Sequence, residues 1–187
     1  MQTLHFKTSA DFRLWLEKNY TESGGIWLRI FKKDSHEKSL TYAEALDQAL
    51  CHGWIDGQKK PFDKLLWLQK FTPRRPKSRW SKINTQHVKR LIKAGIMTPA
   101  GMEAVEAAKV DGQWETAYGS SRSATPPEDF LKELSTNKKA EAYFKTLNKT
   151  NVYSIVYRLE TAKKPETREK RMKTILAMME QGKAFHP

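Results

Sequence analysis

Apolar and polar positions divide the chain into a mixed first part and a helical second part. Phe12, Trp15 and Leu16 fall on one helical face behind Thr8-Ser9-Ala10-Asp11. There Thr8 can cap the helix and Asp11 occupies its first turn. Gly24-Gly25 closes this element. In the next run Ile26, Leu28 and Ile30 alternate with Trp27, Arg29 and Phe31, which predicts a strand with two different faces. Lys32 to Ser39 reads as a polar turn. Thr41-Tyr42-Ala43-Glu44 is a capping box, and Tyr42, Leu46, Ala49 and Leu50 make the apolar stripe of a second helix. Gly53 and Gly57 bracket the short run Trp54-Ile55-Asp56, and Leu65 to Phe71 predicts another strand.

After Trp80 the spacing is helical. Ser81 can cap a helix through Lys93, stopped by Gly95. Thr98-Pro99 pairs a cap with a proline at the first helical position, and Asp111-Gly112 ends that helix. Tyr118 to Pro127, rich in Gly, Ser, Thr and Pro, predicts a linker. Thr125 to Asp129 starts a helix carrying Phe130, Leu131 and Leu134. Two more carry Tyr143, Phe144 and Leu147, then Val152, Ile155, Val156 and Leu159. Pro165 opens the last, through Met172, Ile175, Leu176 and Met179 to Gly182. There is no internal repeat. The expected fold is α+β, a small N-terminal sheet with two helices followed by an all-helical C-terminal half. The expected organisation is an α+β domain over 1–80 with a basic Pro/Arg loop, a helical pair over 81–117 packing on it, and a helical domain over 126–187.

Composition narrows the class. Of 187 residues, 39% are hydrophobic, enough for a packed core. Apolar runs such as Ile175 to Met179 fall far short of the roughly 20 residues of a membrane helix, so membrane insertion is not expected. Met1 to Lys7 lacks the layout of a secretory leader, and Cys51 is the only cysteine, leaving no intramolecular disulfide. These features point to a cytoplasmic protein. Five scattered histidines show no metal-ligand spacing, and there is no glycine-rich dinucleotide loop; neither metal nor cofactor is expected. The pattern carries no signal for oligomeric state.

Charge changes the picture most. The formal net charge is +13, and Gln58 to Lys93 holds 12 Lys and Arg against one acid, Asp63. The remaining residues hold 22 basic and 20 acidic side chains, so the field is local and its partner anionic. In the middle of this stretch, Pro73 and Pro76 stiffen the backbone around Arg74 and Arg75. Lys77, Arg79, Trp80, Ser81, Lys82 and Asn84 follow, running into a helix start whose free N–H groups favour anions. Arg74, Arg75, Lys77, Arg79, Trp80, Ser81, Lys82 and Asn84 are therefore the candidate anion-binding residues, with Trp80 the best candidate for a ligand-facing indole. A solvated charge run is the plain alternative. His52 and Asp56 are candidates for an acid–base pair, since a carboxylate can orient an imidazole; the plain alternative is a packed histidine and a turn aspartate.

Four segments carry a resemblance: Leu50 to Gly57, Phe71 to Asn84, Met97 to Gly101, and Thr161 to Arg168. Together they closely resemble the YdeI/OmpD-associated family, over essentially the whole chain. Members are labelled bacteriocin-protection or antimicrobial-peptide-resistance proteins, with no established catalytic residues or cofactor. Two functions stand side by side. One is binding of an anionic partner, either a phosphate or carboxylate ligand or nucleic acid. The other is an enzyme acting on a small anionic substrate through His52 and Asp56. The family label adds protection against cationic peptides, expected to act indirectly, as in a stress response, because a protein of charge +13 repels them.

Overall fold

The computed structural model describes residues 1–119 and 124–187. The chain divides into two compact units, Met1–Ala117 and Tyr118–Pro187. Of the expected linker, residues 120–123 lie outside the described residues.

In the first unit β1 (Thr3–Leu4) leads to α1 (Ser9–Asn19), β2 (Ile26–Phe31), α2 (Tyr42–Cys51), β3 (Trp54–Pro61) and β4 (Leu66–Pro73). Helices α3 (Lys82–Lys93) and α4 (Pro99–Val110) follow. The four strands form one sheet in the order β1-β2-β4-β3. β1 runs parallel to β2, while β2 and β3 both pair antiparallel with β4. The β3–β4 hairpin carries a register irregularity between Asp56 and Lys59. Buried Gln69 answers it: its amide donates to the carbonyls of Gly57 at 3.0 Å and Gln58 at 3.3 Å. A bulge thus sits in the sheet without stranding those carbonyl groups.

Ile26, Leu28 and Ile30 of β2 and Phe71 of β4 form one core with Phe12 and Leu16 of α1, Leu46 and Leu50 of α2, and Val88 and Leu91 of α3. Val105 and Ala108 of α4 belong to the same core. A small N-terminal sheet with two helices therefore does not describe this chain. β3 and β4 at residues 54–73 extend the sheet to four strands, and helices fill the middle of the chain as well as its end, eight in all among the described residues. The second half of β3, Gly57-Gln58-Lys59-Lys60, is exposed and polar, so no apolar alternation marks it in the sequence. The helical character of the C-terminal half largely holds, with only helices from Lys82 onward among the described elements.

The second unit contains α5 (Glu128–Ser135), α6 (Lys138–Phe144), α7 (Lys149–Glu160) and α8 (Pro165–Glu180). Phe130, Leu134, Ala140, Ile155, Leu159, Met172, Ile175 and Met179 make its own core. Asn151 ties down the C-terminal segment: its Oδ1 accepts from the backbone N–H of Phe185 and His186, and its Nδ2 donates to the His186 carbonyl. Among the described residues no helix is long and apolar enough to cross a membrane.

Candidate functional site

Helix α2 ends in Cys51, with His52 as its C-cap and Gly53 at φ +72° turning the chain into β3. A positive φ of this kind suits glycine. A Cβ at Gly53 would also lie 2.9 Å from the Ala100 carbonyl oxygen, and one at Gly101 would run into the Cys51 carbonyl. These two glycines let α4 press against the end of α2. Thr98 fastens the contact, donating through Oγ1 at 2.5 Å and through its N–H at 3.2 Å to the Cys51 carbonyl. On the other side, the Arg74 N–H donates to the Gly53 carbonyl at 3.0 Å, docking the start of the basic loop on the same turn.

Between the loop, the turn and α4 lies a cleft of about 430 Å³. Arg74, Arg75, Lys77, Ser78 and Trp80 line one wall, and His52, Gly53 and Trp54 the base. Ala100, Ala104 and Ala107 of α4 leave the opposite wall shallow, with Glu103 and Asp111 at its polar positions. Its volume falls in the range of ligand pockets, roughly 300–1,000 Å³. The wall charges are opposite in sign, cationic on the loop and anionic on α4.

The side chains are held in different ways. His52 is 3% exposed, and its Nδ1 lies 2.8 Å from the Gln48 carbonyl oxygen. A carbonyl only accepts, so Nδ1 carries a hydrogen, and in that neutral tautomer Nε2 is the acceptor. That Nε2 is buried and meets no hydrogen-bond partner among the described residues. The Arg74 guanidinium lies 3.4 Å over the Trp80 ring and donates to Ser78 Oγ and the Arg79 carbonyl. Trp80 is buried, with Trp114 edge-on at 5.0 Å, so its indole forms wall and not a free stacking face. Arg75 and Lys77 are exposed, and Lys77 adopts a left-handed φ of +61°. A lysine held there costs on the order of 1 kcal/mol, a strain found where a loop shape is required.

The candidates read from sequence divide accordingly. Arg74, Arg75, Lys77, Trp80 and His52 come together at the cleft. Arg79, Ser81, Lys82 and Asn84 are not among its lining; Ser81 Oγ instead caps α3 by accepting from the Asn84 N–H at 3.1 Å. Asp56 lies on β3 and accepts from the Tyr42 hydroxyl at 2.7 Å, while His52 is held by Gln48, so the carboxylate and the imidazole have different partners. Burial, then the Asp56 charge and hydrogen bond, push the Tyr42 phenol well above its ordinary range. Glu103, Asp111 and the alanines of α4 escaped the sequence reading. Their only local signal is the small-residue spacing Ala100, Ala104, Ala107, which marks packing as readily as a pocket. Among the described residues no cluster of three or more His, Cys, Asp or Glu is arranged to hold a metal ion.

Two family models match this chain. Residues 4–104 match a domain of unknown function (DUF8412), which spans the sheet except for Thr3 and covers most of the cleft lining. Residues 123–182 match the family described as Bacteriocin-protection, YdeI or OmpD-Associated, so that likeness is confined to the helical second unit and does not run the length of the chain. No curated protein and no solved structure matches. The chain belongs to the family of that domain of unknown function, whose model covers more than half its length, while residues 123–182 are similar to the YdeI/OmpD-associated bacteriocin-protection family.

Proposed function

We propose that the first unit binds a compact anion, a phosphate- or carboxylate-bearing small molecule, in the cleft beneath the Pro-Arg-Arg-Pro loop. The observation that carries this reading is the meeting, in one concave site, of the Arg75 and Lys77 wall with a buried His52 whose Nε2 lacks a partner. An unpaired buried polar atom costs about 1–3 kcal/mol, and a hydroxyl or protonated oxygen of the ligand donating to Nε2 would offset that cost while its charged oxygens face Arg75 and Lys77. Glu103 and Asp111 repel an anion from the α4 side, which confines its charged end to the loop side. Concavity favours a small ligand over a duplex, which needs a broad surface for its backbone.

Calorimetric titration with inorganic phosphate, phosphorylated sugars and di- and tricarboxylates tests this. One of these classes saturates a single site. Charge-assisted hydrogen bonds of about 1.5–3 kcal/mol imply a loss of roughly 10-fold or more on Arg75→Ala. Failure of every compact anion to saturate at millimolar concentration would sink the proposal, as would unchanged affinity in Arg75→Ala.

A second reading, an enzyme acting on the same anion, rests on His52 alone. Its ring is oriented by a backbone carbonyl, and its buried Nε2 is taken by no protein group among the described residues. His52→Gln separates the two, since it would abolish turnover in an enzyme and only weaken a binding protein.

A further inference from the structure

The helices of the first unit cover one side of the sheet. Directly opposed residues in an antiparallel ladder share a face. Ile26 opposes Phe71, and Leu28 opposes Gln69; this is the side that enters the core. On the other side Trp27 opposes Lys70, Arg29 opposes Leu68, and Phe31 opposes Leu66, while Lys60 of β3 opposes Leu68 from the far strand. None of these residues belongs to that core cluster; Leu66 and Leu68 are themselves buried, while the flanking aromatic and cationic side chains are half-buried or exposed.

This outer face has a distinctive composition. Trp27 and Phe31 are half-buried, about 13 Å apart along β2, with exposed Arg29 between them. Lys70 Nζ stands 5.9 Å from the Trp27 ring, and the Arg29 guanidinium 5.8 Å from the ring of Phe62, which is 55% exposed. Arg29, Lys60 and Lys70 supply three positive charges, and the paired positions on this face carry no carboxylate. A protein partner would not require that one-sided charge. A duplex buries its base faces, whereas a single strand presents phosphates for the cations and bases for the aromatic rings. We propose that the open face of the sheet, centred on Trp27, Arg29, Phe31 and Lys70, is a binding platform for single-stranded nucleic acid, separate from the small-anion cleft.

The test uses the full chain and fluorescence anisotropy of end-labelled U12 and dT12, with a 12-base-pair duplex and anionic phospholipid vesicles as comparisons. The single strands bind, and the duplex binds at least 10-fold more weakly. With about three phosphates contacted, the Kd rises roughly 20-fold from 50 to 200 mM salt. Trp27→Leu weakens binding about 10-fold. Because that change touches packing, the triple variant Arg29→Gln/Lys60→Gln/Lys70→Gln provides an independent reading, and it flattens the salt dependence. Lys82→Gln/Lys89→Gln/Lys93→Gln, an equal loss of three charges on exposed positions of α3, leaves the Kd within about twofold. The proposal is overturned by absence of binding at 50 mM salt, by equal affinity for duplex, or by vesicle binding without oligonucleotide binding. A triple variant that binds like the parent, or no better than the α3 control loses, overturns it as well.

Discussion

Cys51 and His52 are adjacent, and the end of α2 sends them to different environments. Cys51 is buried, and burial pushes its thiol up to about 11, with the Asp47 carboxylate adding to the rise and Arg90 opposing it. A protonated, buried thiol is a poor nucleophile. Iodoacetamide at pH 8 should leave Cys51 intact in the folded protein and modify it fully once the chain is unfolded, as mass spectrometry will read. The same shift has a consequence for stability. In the folded state the thiol keeps its proton above its ordinary value of 9.0, so the folded chain binds more protons than the unfolded one. Stability from this group is complete below pH 9.0 and is lost as the pH climbs towards about 11. Tyr42 acts in the same direction. The melting temperature should fall over that interval, and less steeply in Cys51→Ala. His52 by contrast borders the cleft, and Trp80, favoured from sequence as a ligand-facing ring, is covered by Arg74 and Trp114. Nothing near Trp80 in the chain announces Trp114, because their contact is made only when α3 and α4 fold together with the sheet.

At the scale of elements, local chemistry was readable and long-range chemistry was not. The capping boxes of Thr8 with Asp11 and of Thr41 with Glu44 form as the spacing predicts, because both partners lie within one turn. Thr41→Ala should cost about 1 kcal/mol, measured by denaturant unfolding. In the acid range, hydrogen bonds from the Thr41 backbone and hydroxyl hold the Glu44 carboxyl below its ordinary 4.5. That contribution is present above pH 4.5 and disappears as the pH falls. The β2 strand was equally plain, through its alternation. β1 and the second half of β3 were not, since a two-residue strand and an exposed polar strand have no periodicity to display. The seating of α4 on α2 was also invisible. It depends on Gly101, where a Cβ would collide with rigid backbone at Cys51. Gly101→Ala should destabilise the first unit by about 1–3 kcal/mol and, under the proposed function, weaken the binding of a compact anion, because α4 is a wall of the cleft. Unfolding and titration of the same variant check both effects.

For the whole molecule, the charge is best read through its two units. The first holds 20 basic and 13 acidic residues and the second 14 and 8, giving +7 and +6. Within the first unit the Gln58 to Lys93 stretch accounts for +11, and everything else is net negative at −4. Both units are cationic, so neither offers a cationic peptide an attractive field. Calorimetry at physiological salt should detect no binding of a cationic antimicrobial peptide tighter than about 1 mM. Tight direct binding would contradict this.

Sequence alone determined the helices and the caps at Thr8, Thr41, Ser81 and Thr98, the one strand with strict alternation, the concentration of positive charge and the prolines on either side of Arg74 and Arg75. Each of these depends on residues within a few positions of one another. Tertiary structure decided where that charge sits. The β3–β4 hairpin carries Lys60 and Lys70 to the outer sheet face, the loop after β4 carries Arg74, Arg75 and Lys77 to the rim of a cleft, and α3 takes Lys82, Lys89, Arg90 and Lys93. His52 joined the cleft, and Asp56 went to Tyr42, through contacts between segments far apart in the chain. A linear count of charges cannot divide them among surfaces, because the division is made by strand pairing and by the close approach of α4 to α2.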